Sequence, residues 1–229
     1  MAISGDKRSF AQRRENAFKQ IYVDGAPELS FADRYSFHDS AVERLGADTN
    51  ILYLEFGVAR GASIIRFASK FIHPDARFIG FDSFVGLPEA WAKYEIGHFS
   101  LNGQPPRVAD SRVEFSKGWF QNSVPVFFQH QLSEKLRPTI LIHYDADLYS
   151  STLFLLAAFW WKIPNYYFIM DEFFGEELVA LGDFADSHPV DIEYYSVMDT
   201  RHSEKLGYRI PHKVFGRIKN KVMTVTVES

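Results

Sequence analysis

The stretch Ile51-Leu52-Tyr53-Leu54-Glu55-Phe56-Gly57-Val58-Ala59-Arg60-Gly61-Ala62-Ser63 decides the architecture. Its first six residues are apolar or aromatic except for Glu55, the pattern of a strand buried on both faces, and such strands belong to parallel sheets covered by helices. A glycine turn follows and opens a helix read over Ser63 to Phe71. Gly57 and Gly61 permit a tight turn and close backbone approach, and the helix N-terminus beyond can receive a carboxylate or phosphate. A dinucleotide fingerprint wants glycine where Ala59 stands, which weakens a nicotinamide or flavin reading.

Outward from this unit the alternation continues. Arg77 to Asp82, Val113 to Ser116, Thr139 to Asp145 and Tyr166 to Met170 read as further strands, and Ser151 to Trp161 and Glu176 to Ser187 as helices. Ile192 to Val197, His212 to Ile218 and Val222 to Val227 then follow as strands without a convincing helix, so the sheet is expected to finish antiparallel. Residues 1–50 read as a helical extension, with Phe10, Ala17, Phe18 and Ile21 at near-helical spacing and a capping box over Ser30 to Asp33. Residues 51–229 form the main domain, in which the aperiodic segment 87–110, with Pro88, Gly97, Gly103, Pro105 and Pro106, is a surface loop or lid.

Composition narrows the chemistry. The chain has 229 residues and no cysteine, so disulfides, thiolate zinc sites and cysteine nucleophiles are excluded, and any metal must sit on Asp, Glu or His. A net charge of −4 gives no global field for nucleic acid or an anionic membrane. Charge is nevertheless uneven: Ile163 to Thr200 holds nine acidic residues and no Lys or Arg, whereas Arg201 to Lys221 holds seven Lys/Arg and one Glu. That basic segment reads as a solvated strand face, or else as a docking patch for an acidic partner. The apolar run Leu153 to Trp161 is too short to span a bilayer, and Met1 to Gln20 has no apolar signal core, so the expectation is a cytoplasmic protein. The sequence leaves a homo-oligomer open.

In a doubly wound sheet, ligands bind beyond the carboxyl ends of the strands. There the second strand ends at Asp82, 25 residues past Gly57, where an acid would meet ribose hydroxyls. The fourth ends in His143-Tyr144-Asp145-Ala146-Asp147, whose alternation projects His143, Asp145 and Asp147 to one side, and the fifth ends in Asp171-Glu172. Carboxylates converging without a Lys or Arg nearby in sequence suit a hard divalent cation such as Mg²⁺. Aromatic content is high, at 37 of 229 residues (16%). Phe154, Phe159, Trp160 and Phe168 read as core, whereas Phe56, Phe81, Phe84, Trp119, Phe120, Tyr149, Phe173 and Phe174 flank strand ends and are candidates to line a pocket.

Together, Glu55-Phe56-Gly57-Val58 with Gly61 and Ser63, Gly80-Phe81-Asp82-Ser83-Phe84 with Gly86-Leu87-Pro88-Glu89, Lys117-Gly118-Trp119-Phe120, Asp145-Ala146-Asp147-Leu148-Tyr149-Ser150-Ser151-Thr152 and Asp171-Glu172-Phe173-Phe174-Gly175 resemble the macrocin-O-methyltransferase-like (TylF/MycF/NovP type) family of class I S-adenosylmethionine-dependent methyltransferases. The resemblance implies an α/β, Rossmann-like class I methyltransferase fold with a seven-stranded, mostly parallel sheet, a reversed C-terminal hairpin and helices on both faces. It implies O-methylation of a small-molecule hydroxyl, on a sugar of a natural product or polysaccharide. Carried over residue by residue, it puts S-adenosylmethionine on Glu55, Gly57, Gly61, Ser63, Asp82, Ser83, Gly118, Trp119 and Asp145, and Mg²⁺ on Asp145, Asp171 and Glu172. Asp147 becomes the base, with His143 as its alternative. The family's metal-binding pair after strand five tends to be Asp-Asp, where this chain has Asp-Glu. Two other readings are a Rossmann oxidoreductase, which leaves the carboxylates of the fourth and fifth strands unexplained, and a non-catalytic binding protein of the same fold. A nucleic-acid methyltransferase would want an NPPY-like motif, which is absent.

Overall fold

Strand β2 (Ile51–Phe56) is buried along its whole length and is central, flanked by β3 (Arg77–Asp82) and β5 (Thr139–Tyr144), both parallel to it. The computed structural model describes residues 9–22, 29–130, 138–203 and 208–222. One side of the sheet continues through β4 (Val113–Lys117), parallel to β3. The other continues through β6 (Asn165–Met170), parallel to β5, and then β8 (Tyr208–Asn220), antiparallel to β6. Next comes β7 (Val190–Ser203), the other arm of the hairpin, and last a short β1 (Leu29–Phe31), parallel to β7.

The sheet therefore has eight strands in the order β1-β7-β8-β6-β5-β2-β3-β4, mostly parallel with an antiparallel C-terminal hairpin. The eighth strand, beyond the seven expected, is β1, so the N-terminal segment is not purely helical. The chain winds outward from β2 in one direction through β3 and β4, and in the other from β5. The crevice between the β2 and β5 ends is the switch point where ligands of such sheets bind.

Side-chain alternation along β2 assigns the two faces. Leu52, Leu54 and Phe56 join a core with Phe81, Tyr144, Phe159, Phe168 and Leu181, covered by α4 (Phe120–His130), α5 (Tyr149–Trp160), α6 (Glu176–Ser187) and, outside α6, α1 (Phe10–Ile21). Ile51 and Tyr53 face the opposite way, against α2 (Arg34–Leu45) and α3 (Ala62–Lys70), with Phe37, Phe67 and Phe71. Helix α1 lies close enough on α6 that a Cβ at Gly182 would stand 2.5 Å from Ala17 Cβ. Capping differs from the expectation: Ser30 belongs to β1, Asp33 alone caps α2 through Tyr35 N and Ser36 N (both 2.9 Å), and the capping box is Ser9 with Gln12.

The charge imbalance is resolved across the hairpin. Basic β8 pairs with acidic β7, placing Lys219 on Glu193, while Lys221 pairs with Asp191 at 2.6 Å and Arg217 donates to Asn165 at 2.8 Å. The segment thus pairs internally at these positions. Beyond Val222 the expected strand Val222 to Val227 lies outside the described residues.

Candidate functional site

The strand ends are held open by glycine and stapled by carboxylates. Gly57 has φ +92°, and a Cβ there would stand 1.8 Å from the backbone oxygen of Asp145, so the β2 turn and the β5 end can meet only with glycine. Ala59 at φ 45° completes the turn, and Gly61, at φ 78°, is the N-cap of α3. Asp82 accepts from Val58 N (2.9 Å) and Ala59 N (3.0 Å) on one oxygen and from Phe84 N (2.7 Å) on the other. It therefore fastens the glycine turn to the β3 end and keeps one acceptor position on Oδ1.

A cleft of about 740 Å³ runs over this edge, within the size range of small-molecule sites. Gly57, Asp82, Ser83, Trp119, Asp145, Asp147, Asp171 and Glu172 all line it, which brings together most of the residues expected from sequence. A smaller adjoining cavity of about 450 Å³ takes in Glu55, Ser63 and again Asp145. Gly61, Gly118 and His143 line neither: Gly118 N donates to Asp82 O at 2.9 Å, and His143 is fully buried.

The outer wall is the segment 87–110. It carries no regular helix or strand but is tied down by Leu87 N to His98 O (3.0 Å), Lys117 Nζ to Gly103 O (2.6 Å) and Ser150 Oγ to Glu89 (2.9 Å). Its Trp91, Tyr94 and Phe99 face the cleft, with Tyr94 packed between Trp91 and His98. The rings expected at the pocket divide accordingly. Trp119 and Phe120 line the cleft, whereas Phe56, Phe81, Phe84 and Phe173 are core, and Tyr149 bonds Asp183 at 2.8 Å. The pocket aromatics of the loop carried no periodic signal in sequence.

Beneath the cleft a buried polar chain crosses four strands. The Tyr53 hydroxyl bridges Glu55 and His143 Nδ1 (2.7 Å), His143 Nε2 meets Asp171 Oδ1 at 2.8 Å, and Lys213 Nζ donates to Asp171 Oδ2. Burial pushes Glu55 up to about 8 and His143 down, the latter against the pull of Asp171. The Tyr53 hydroxyl donates to Glu55 Oε2, and both ring nitrogens of His143 are taken, Nδ1 by Tyr53 and Nε2 by Asp171. His143 is consequently no base for a ligand in the cleft, in contrast to the sequence expectation; it positions Asp171. Asp171 stays ionised despite its burial because His143 and Lys213 hold its carboxyl well below the usual range.

Asp145 and Asp147 behave oppositely. Burial raises Asp145 far above the ordinary carboxylate range, with Asp171 and Asp147 adding repulsion. Asp147 is raised to about 7 by burial, then by Glu172 and Asp171, and it sits at φ 60°, a left-handed conformation that Asp tolerates better than most residues. One residue that sequence reasoning passed over organises both acidic loops. Glu177, in the first turn of α6 and fully buried, accepts from Ala146 N (3.2 Å) and Glu172 N (3.0 Å).

These residues do not fit a Mg²⁺ centre on Asp145, Asp171 and Glu172. Both oxygens of Asp171 are spent on His143 and Lys213, with Arg34 a further 3.4 Å partner, and Glu172 Oε1 faces His212 Nε2 at 3.2 Å. Among the described residues, the group that brings ligand atoms within 4.8 Å of one another is His38, His143 and Asp171, a nitrogen-rich set unlike the all-oxygen shell Mg²⁺ prefers. The absence of Lys and Arg near the acids held only in sequence: Lys213 arrives from β8 and Arg34 from α2.

No protein-family profile and no curated protein matches the sequence. Solved structures match the fold. The O-methyltransferase NovP aligns with a TM-score of 0.55 at 17% identity, covering 81% of this chain and 77% of its own. An O-methyltransferase from Bacillus cereus in complex with SAH aligns at 0.49 and 13% identity, covering 91% of each chain. TomG from Streptomyces achromogenes, an O-methyltransferase in complex with SAM, aligns at 0.47 and 12%, covering 93% of this chain and 91% of its own. At such identity the likeness to NovP is one of fold, and among the described residues no helix is long and apolar enough to cross a membrane.

Proposed function

We propose that the chain is an S-adenosylmethionine-dependent O-methyltransferase acting on a small-molecule hydroxyl, with a sugar as the favoured acceptor from the resemblance of its motifs. The observation that carries the reading is one continuous cleft at the switch point joining the Gly57 turn and Asp82 to the acidic tip of Asp145 and Asp147. A nucleotide site alone would need only the first half; a reaction that removes a proton needs the second.

The cofactor supplies an activated methyl group on a sulfonium, already a good electrophile. The Gly57 turn, Asp82 and Ser83 line its expected place, with Trp119 beside the adenine end and Glu55 and Ser63 in the adjoining cavity. Held there, donor and acceptor react as if in one molecule, which lowers the entropic part of the barrier. Asp147 accepts the hydroxyl proton, because a base is most effective with a pKa close to the working pH. Trp91, Tyr94 and Phe99 exclude water over the acceptor. No step runs through Mg²⁺, since two of the three carboxylates that would hold it are committed, Asp171 to His143 and Lys213, and Glu172 to His212.

Calorimetric titration of the purified chain with S-adenosylhomocysteine and, separately, with NADH tests the assignment. Saturable homocysteine-nucleoside binding without NADH binding is expected. The reverse pattern would move the chain to the oxidoreductases.

A further inference from the structure

Among the described residues Lys213 is the one buried lysine or arginine, 2% exposed, and it lines the main cleft. Register places it there. β8 pairs antiparallel with β6, opposing Val214 to Met170, so Lys213 lies beside Asp171 at the carboxyl end of β6. Among the described residues Asp171 is its only hydrogen-bond partner, which leaves two of the three ammonium hydrogens unspent. Around it the same wall presents Asp145, Asp147 and Glu172. A buried ammonium is expensive to desolvate, and the pairing with Asp171 offsets that cost; the unspent hydrogens then face a ligand site rather than bulk water.

We propose, on the basis of the methyl-transfer reading above, that the Lys213 ammonium is the fixed cation of the acceptor subsite, standing where a divalent metal would stand. The acceptor hydroxyl oxygen takes a hydrogen bond from Lys213 and gives its proton to Asp147. An oxygen lone pair forms the new O–C bond while the C–S pair returns to sulfur, leaving a neutral thioether. The sulfonium charge and the proton are thereby accounted for without a metal, and partial negative charge on the oxygen meets a preplaced positive group. Asp171, anchored by His143, positions Lys213. The attraction of Lys213 also acts on Asp145 and Asp147, against the burial that raises them.

The test uses manganese as the probe, followed by electron paramagnetic resonance, on the full chain with and without S-adenosylhomocysteine. The wild type is expected to retain no stoichiometric manganese. Lys213→Met, which keeps the apolar stem but deletes the charge, is expected to bind one ion about a hundredfold more tightly than the wild type, and Asp145→Asn added to it should abolish that gain. A wild type that binds one equivalent, lost on Asp145→Asn, overturns the proposal, as does a folded Lys213→Met chain that gains nothing. The wild-type arm decides even if the variant fails to fold. Failure of the wild type to bind S-adenosylhomocysteine would strike the methyltransferase reading separately, leaving the manganese result to judge the cation.

Discussion

Replacing Asp147 by Asn should stabilise the protein, and increasingly so as pH rises. Asp147 has its pKa raised from 3.8 to about 7 in the folded chain, chiefly by burial and then by Glu172 and Asp171. Between these values the folded state keeps a proton that the unfolded state has released, so stability falls as pH climbs from about 4 to 7 and levels off above. Asn is neutral at every pH and accepts the φ of 60° at this position, so the substitution removes the charge term without adding backbone strain. Linkage over that span gives a stabilisation by Asp147→Asn that is about 2 kcal/mol larger at pH 8 than at pH 5. Urea denaturation of both proteins at the two pH values measures it. The comparison of variant with wild type cancels the titration of Glu55, whereas Asp145 and Glu177 lose the repulsion of Asp147 in the variant, which adds to the difference in the same direction. An equal difference at pH 5 and pH 8 would refute the raised pKa, and with it the case for Asp147 as a base tuned to neutrality. The stability lost to keep this carboxylate is what a catalytic site would be expected to show.

Gly57→Ala should destabilise by about 3 kcal/mol or more in chemical denaturation, because its Cβ would overlap the Asp145 backbone oxygen at a φ of +92°. Glu177→Ala leaves Ala146 N and Glu172 N without their acceptor, at a cost of about 1–3 kcal/mol; faster amide hydrogen exchange at those two positions is the expected signature. Trp119→Ala removes a ring that is 39% exposed, so thermal stability should hardly change while S-adenosylhomocysteine binding weakens about tenfold by calorimetry.

Sequence reading succeeded where one residue type answers one local demand. The all-buried pattern of Ile51 to Phe56 placed the central strand, and Gly57 and Asp82 marked the cleft because strand ends in this topology are where the backbone must turn and bind. It failed where partners come together only through sheet register. Lys213 reads as one basic residue in a basic segment until β8 folds back against β6 and sets it on Asp171. Glu177 looks like an ordinary acid in a helix's first turn, yet its depth in the core makes it the acceptor for two loops. His143 projects from the tip of its strand by alternation alone, but Tyr53 and Asp171 take both ring nitrogens beneath the floor of the cleft. The short strand β1 gave no signal because three residues at a sheet edge carry little periodicity.

The most direct test of the account is a crystal grown with S-adenosylhomocysteine and manganese together. The account predicts density for the nucleoside across Gly57, Asp82 and Trp119, with the Lys213 ammonium on Asp171 and no ion between Asp145, Asp171 and Glu172. A manganese ion held by those three carboxylates, with Lys213 displaced, would contradict it.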